Sequence, residues 1–137
     1  MFVDGNWNVG QGEYEGDPII LRINASLNDF VGDSEYNLKI GVAIPLNNPD
    51  PGGMPDPEEN EVLAEYEDRI GNIINQHGSA VQALAITMGT FKEYVFYATR
   101  ETNVKLAHEQ MMAEIDTHEV QCYAEVEKDW ATYSQWL

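Results

Sequence analysis

The sequence predicts a single α+β domain built on a ferredoxin-like βαββαβ core. Two observations predict this class. Between residues 36 and 127 the hydrophobic period switches in the order strand, helix, strand, strand, helix, strand, the signature of a split βαβ unit. The third of those strands, residues 91–98, is apolar on both faces: Phe91, Val95 and Tyr97 on one, Tyr94, Phe96 and Ala98 on the other. Such a strand belongs inside a sheet, where both faces are covered. Right-handed crossovers place both helices on one side, and in the usual arrangement the first and third strands are central. A hairpin over residues 6–25 is expected to extend the sheet or cap an edge, and residues 129–137 to form a short aromatic helix. The 137 residues suit one domain, large enough to fold without a disulfide or metal.

The elements follow in order. The first strand is read over residues 7–11, with a glycine-rich turn over 12–17. "PIILRINASL" is the next strand, residues 19–25, with Ile19, Leu21 and Ile23 on one face. "GDSE" at 32–35 is a turn cluster. In "YNLKIGVAIPL" Leu38, Ile40, Val42 and Ile44 form an apolar face. Lys39, Gly41 and Ala43 form a smaller second face that suits close approach by another element. "NNPDPGGMPDP" is a loop, with four prolines and two glycines in eleven residues. It ends in a helix start: Asp56 as N-cap, Pro57 at N1 and Glu59 completing a D-x-x-E capping box. Val62, Leu63, Tyr66, Ile70, Ile73 and Ile74 make one buried stripe, and Gly78 is a suitable C′ residue. "AVQALAITM" and "FKEYVFYA" are strands joined at Gly89. A second helix over 102–116 carries Val104, Ala107, His108, Met111 and Ile115 on a stripe. "VQCYAEVE" closes the sheet, with Val120, Cys122, Ala124 and Val126 inward and Gln121, Tyr123, Glu125 and Glu127 outward.

Composition narrows the function classes. Seven basic residues stand against 24 acidic ones, a formal net charge of −17. Affinity for nucleic acid rests on Lys and Arg neutralising phosphates, and anionic membranes ask for the same groups, so neither partner is expected. A basic protein fits better, for example one that itself handles nucleic acid. The alternative is a generally acidic, soluble surface. One cysteine, Cys122, allows no internal disulfide, and its inward place on a strand marks it as an inert thiol. The start "MFVDGNWNVGQ" lacks the basic and apolar regions of a secretory signal. No apolar run approaches the roughly 20 residues of a membrane span. A cytoplasmic protein is therefore expected.

Catalytic signatures do not assemble. "HEQMM" at 108–112 begins like the zinc-protease pair but has Met112 where the second histidine belongs. His108 falls on an apolar stripe, which makes it a core or half-buried histidine, and His77 sits at a helix C-terminus. "NNPDPGG" lacks the closing Glu of a calcium loop. Neither a G-x-S-x-G nor a phosphate-binding glycine motif occurs. Glu58, Glu59, Glu61, Glu65, Glu67 and Asp68 read as a solvated helix face rather than an acid/base pair. No catalytic residue, metal or cofactor is expected.

With both helices on one side, the other sheet face needs a cover or a partner. Tyr94, Phe96 and Tyr123 are expected there, together with Trp7 of the hairpin and Trp130, Tyr133 and Trp136 of the final segment. Base stacking by such aromatics would need accompanying basic residues, and these are missing. In "EKDWATYSQWL" Trp130, Tyr133 and Leu137 fall at i, i+3 and i+7, with Asp129 as N-cap. Each large aromatic buries roughly 150–250 Å², so the segment is expected to dock. It then serves as a lid on its own core or as a handle for a partner. The expected function is a non-catalytic protein-binding or regulatory module, monomeric or homodimeric. The alternatives are an enzyme or small-ligand binder with an acidic or aromatic pocket between tail and sheet, and a structural homo-oligomer.

Trp7, "GDPIILRIN", "NLKIGVAIP", "GMPDPEENEVLAEYEDRI", "EYVFYATRE" and "DWATYSQWL" occur in this order along nearly the whole chain. In them the sequence resembles the bacterial domain of unknown function 695 family. The most specific match is the tail, where the family's acidic residue, Trp and a Tyr three positions on correspond to Asp129, Trp130 and Tyr133. The second is "EYVFYA", residues 93–98. The resemblance implies an α+β fold similar to that of the ribonuclease E inhibitor B family, small acidic proteins that bind and restrain a nuclease. It implies no established activity and no catalytic residues.

Overall fold

The computed structural model describes residues 6–136 of the chain. Its strands are β1 (Trp7–Tyr14), β2 (Asp17–Asn24), β3 (Leu38–Pro45), β4 (Ala80–Thr87), β5 (Phe91–Ala98) and β6 (Gln121–Val126). Its helices are α1 (Pro57–Gln76), α2 (Val104–Glu114) and the single turn α3 (Ala131–Ser134), with a 3-10 helix at Ala25–Phe30. The strands make one six-stranded antiparallel sheet in the order β1-β2-β4-β5-β3-β6. The doubly apolar β5 lies between β4 and β3, and the N-terminal hairpin extends the sheet through β2, with Leu21 opposite Ile86.

The two sheet faces are buried in different ways. Ile40, Val42 and Ile44 of β3 and Tyr94, Phe96 and Ala98 of β5 pack beneath α1 and α2, against Leu63, Ile70, Ile73 and Met111. Removing an apolar side chain of this size from water contributes roughly 1.5–3 kcal/mol, which is what seats two amphipathic helices on the sheet. The opposite face is covered by the 3-10 helix and the C-terminal segment, where Leu27, Leu84, Val95 and Tyr97 pack with Trp130 and Tyr133.

Several elements depart from the sequence reading, each for a local reason. β1 runs on to Tyr14 instead of turning after Gln11. The turn is only Glu15 and Gly16, both with positive φ (51° and 87°), the two-residue geometry that matches strand twist. Asp56 caps α1 by accepting the Glu59 N–H at 3.1 Å, but the Glu59 carboxylate does not complete a capping box. It accepts instead from the N–H groups of Asn47 (2.6 Å) and Asn48 (3.0 Å). Val62 is 37% exposed rather than in the stripe. Gly78 does not take a left-handed C′ conformation; a Cβ there would lie 2.2 Å from the Thr102 hydroxyl, so close packing requires the glycine. Ala124 and Val126 are exposed because β6 is the sheet edge. Leu137, expected on the buried face of the tail, lies outside the described residues.

Candidate functional site

The C-terminal segment docks onto the sheet face away from the helices. The ring of Trp130 stacks on Tyr97 with centroids 4.1 Å apart and planes parallel, and meets Tyr133 edge-on at 5.9 Å. Trp130 takes a left-handed backbone (φ 55°), which turns the chain into α3, and Asp129 accepts the Ala131 N–H at 3.2 Å. The polar handles of these two residues are matched: Trp130 Nε1–H donates to the Tyr36 carbonyl (2.9 Å), and the Tyr133 hydroxyl reaches the Asn24 carbonyl and Asn28 Oδ1 (both 2.7 Å). Burial pushes the Tyr133 hydroxyl up to about 12, so it stays a donor.

A charged network ties this segment to β3. Lys39 lies under it and pairs with Glu125 (2.7 Å) and Glu127 (3.2 Å), while donating to the Thr132 hydroxyl at 3.0 Å. Glu127 accepts from the Tyr97 hydroxyl (2.5 Å), the Thr132 N–H (2.8 Å) and the Thr132 hydroxyl (2.7 Å). Burial works to raise the Glu127 carboxyl, but the hydrogen bonds from Tyr97, Thr132 and Lys39 prevail and hold it below its ordinary value. Tyr97 is driven strongly upward by burial and by that same carboxylate.

Beside the docked tail lies a pocket of about 400 Å³. Ile19, Ile86, Met88 and Phe91 supply apolar lining, and Tyr14, Tyr123 and Trp136 supply aromatic lining. Glu13 and Glu93 also line it. The Tyr123 ring occupies the space over residue 41 of β3 because that residue is glycine: a Cβ there would stand 2.1 Å from the ring. From this position the Tyr123 hydroxyl donates to Glu93 at 2.9 Å, and burial followed by Glu93 raises its pKa strongly. Trp136 rests near Gly12, whose missing Cβ would meet the ring at 3.4 Å. The Trp136 indole N–H is buried without an acceptor among the described residues. A shallower groove lined by Ala43, Pro45, Thr90 and Gln121 adjoins the pocket and shares Phe91 and Glu93 with it.

The expected surface residues are only partly brought together. Tyr123 and Trp136 meet in the pocket, and Trp130 and Tyr133 are wholly buried behind it. Tyr94 and Phe96 are corrected to the other side of the sheet: both are buried beneath the helices, and the Tyr94 hydroxyl donates to the Leu63 carbonyl at 2.8 Å. In β5 it is Val95 and Tyr97 that face the tail. Trp7 is also on the helix side, 5.3 Å from the Arg22 guanidinium, which pairs with Glu67 of α1. Sequence reasoning missed Glu93, Glu13, Tyr14 and Phe91 as pocket residues. The one signal available was the small β3 face at Gly41, which announces a side chain lying across it.

The histidines and the cysteine are engaged within the fold. His108 Nε2 bonds the Val120 carbonyl at 2.7 Å, and His77 bonds Gln110 at 2.6 Å. His118 pairs with Glu59 at 2.5 Å and joins the β3–α1 loop to the α2–β6 loop. The two N–H bonds and His118 outweigh burial and hold the Glu59 carboxyl below its ordinary value. Burial lifts the Cys122 thiol to about 11, which suppresses the thiolate. Among the described residues no group of three or more His, Cys, Asp or Glu is placed to hold a metal ion, and no helix is long and apolar enough to cross a membrane. In comparisons with known proteins, the model of a family of unknown function (DUF695) matches residues 5–137. No curated protein and no solved structure matches the chain.

Proposed function

The chain belongs to the DUF695 family, whose function is unknown, and from that premise we propose a non-catalytic, cytoplasmic binding module that engages and regulates a basic protein partner. The observation that carries this reading is the distribution of charge. The formal net charge is −17, and of the few basic side chains Lys39 and Lys92 are buried and Arg22 is held in an ion pair. Arg22 is paired with Glu67, Lys39 with Glu125 and Glu127, and Lys92 is buried against Asn60. The outer surface is thereby more one-signed than the total implies, which favours and steers a cationic partner.

The contact surface in this reading is the pocket beside the tail and its rim, where Tyr14 and Tyr123 are 54% and 40% exposed. The βαββαβ unit is taken as ferredoxin-like, supported by its element order and its antiparallel strand order β4-β5-β3-β6. The likeness of fold to the ribonuclease E inhibitor B family that the family resemblance implies points to the same role by analogy alone. The pocket also favours a second reading, a binder of a small cationic ligand. The test of the first is capture of partners on the immobilised protein at low salt and at high salt. A basic protein retained at low salt and released at high salt is expected. Capture of nothing at low salt, or retention indifferent to salt, would sink the reading.

A further inference from the structure

We propose that the pocket beside the C-terminal tail receives one lysine or arginine side chain of a basic protein partner, with Glu93 as counter-charge and Tyr14, Tyr123 and Trp136 as its aromatic walls. The inference rests on the reading of the protein as a binding module and names the group that its site takes.

Glu93 is the first reason. It is half-buried on the tail side of β5, among the apolar groups of the pocket. The Tyr123 hydroxyl donates to it, but no Lys, Arg or His among the described residues forms an ion pair with it. Lys39, whose ammonium stands 5.5 Å from the Tyr123 ring centroid, is committed to Glu125 and Glu127. A carboxylate partly withdrawn from water and left without a counter-ion is costly. An entering cation removes that cost.

The walls and floor are the second reason. A cation gains attraction over an aromatic face within about 6 Å of the centroid. The Tyr123 ring already carries the Lys39 ammonium at 5.5 Å, so its environment tolerates this contact. Ile19, Ile86, Met88 and Phe91 offer an apolar surface for the methylene stem of a long basic side chain. The volume of about 400 Å³ lies within the range of small-ligand sites.

The adjoining groove is the third reason, and it favours a residue within a chain over a free amine. It leads away from the pocket across Ala43, Pro45 and Gln121 and keeps Phe91 and Glu93 in common with it. A partner segment laid in the groove places its basic side chain at Glu93, and the −17 charge of the whole molecule steers it there.

The test titrates the full-length protein with N-acetyl-lysine methylamide, N-acetyl-arginine methylamide and neutral N-acetyl-norleucine methylamide. The readout is the Trp136 indole N–H in nitrogen-15 NMR spectra, assigned with Trp136→Phe. Saturable shifts with the two cations are expected. The response should weaken about 10- to 100-fold in Glu93→Gln, the loss for one bond to a charged group. It should weaken also in Tyr14→Ala, an exposed position whose truncation leaves the core intact. Glu61→Gln, exposed on α1, should change nothing. An equal response to the norleucine compound, or a lysine response that survives both Glu93→Gln and Tyr14→Ala, overturns the proposal. The two readings fail separately. A salt-labile basic partner whose capture ignores Glu93→Gln keeps the module and removes its anchor. N-acetyl-lysine methylamide bound at the pocket with no protein captured keeps the pocket and removes the module.

Discussion

Glu127 shows how one side chain joins the tail to the sheet. Its carboxylate is 12% exposed and takes bonds from Tyr97, Thr132 and Lys39. In Glu127→Gln the amide opposes one of these donors, and we expect a loss of about 1–3 kcal/mol at neutral pH. Lys39 is not stranded, because Glu125 remains 2.7 Å away. The pH dependence has a definite sign. The folded-state pKa of Glu127 lies below its ordinary value of 4.5, so its contribution is complete above that value and disappears as pH falls through the lower folded one. Urea denaturation at neutral pH and at about pH 3 should therefore show the wild-type advantage over Glu127→Gln shrinking in acid. An advantage that is constant with pH would mean the carboxylate charge is irrelevant. Gly41 makes a second case. The Cβ of Gly41→Ala would stand 2.1–2.4 Å from three Tyr123 atoms, so the ring must lift off β3 or strain the strand. A loss of about 1–3 kcal/mol is expected. A loosened Tyr123–Glu93 bond should show as a lower phenol pKa in a spectrophotometric titration.

At the scale of elements, α3 is a single turn of four residues, far too short to be helical alone in water. Packing holds it, and Trp130 is the largest part of that packing, with none of its surface exposed. Trp130→Ala should cost about 3–5 kcal/mol, and deletion of residues 129–137 should lower the melting temperature sharply, which calorimetry will measure. A truncated chain as stable as the whole would make the tail a handle rather than a lid. The same segment shows what a sequence can and cannot reveal. Strand and helix periods were legible, because burial on one side writes itself into residue spacing. Asp56 and Pro57 were legible as a helix start because their effect is local. The facing of β5 was not, since a strand apolar on both sides carries no parity signal, and Tyr94 and Tyr97 are equally plausible on either. Nor was the pocket, whose residues come from β1, β2, β4, β5, β6 and the tail. Only the register of the finished sheet brings Glu93 to Tyr123, across the space that Gly41 leaves open.

For the whole molecule, the −17 charge sets two salt dependences of opposite sign. Like charges spread over a small domain repel in the folded state more than in the expanded chain, so screening should stabilise the fold. Among the described residues the Lys and Arg ion pairs that salt would weaken are few, and each keeps one shielded member: Lys39 is 9% exposed, and Glu67 beside the 36% exposed Arg22 is 12% exposed. Repulsion should therefore dominate, and raising salt from well below to above the physiological range should lift the melting temperature by roughly 3–4 °C, equivalent to about 1 kcal/mol. A melting temperature that falls with salt would mean the internal ion pairs outweigh the surface. Association with a basic partner must respond the other way, since screening removes its attraction. A partner also binds only the folded state, and so raises the melting temperature by mass action. The stabilisation it gives should be largest at low salt, where the free domain is weakest, and should fade as salt restores the domain by itself. Thermal scans with and without the captured partner across a salt series will show two curves converging. Parallel curves would mean that the contact is not led by charge.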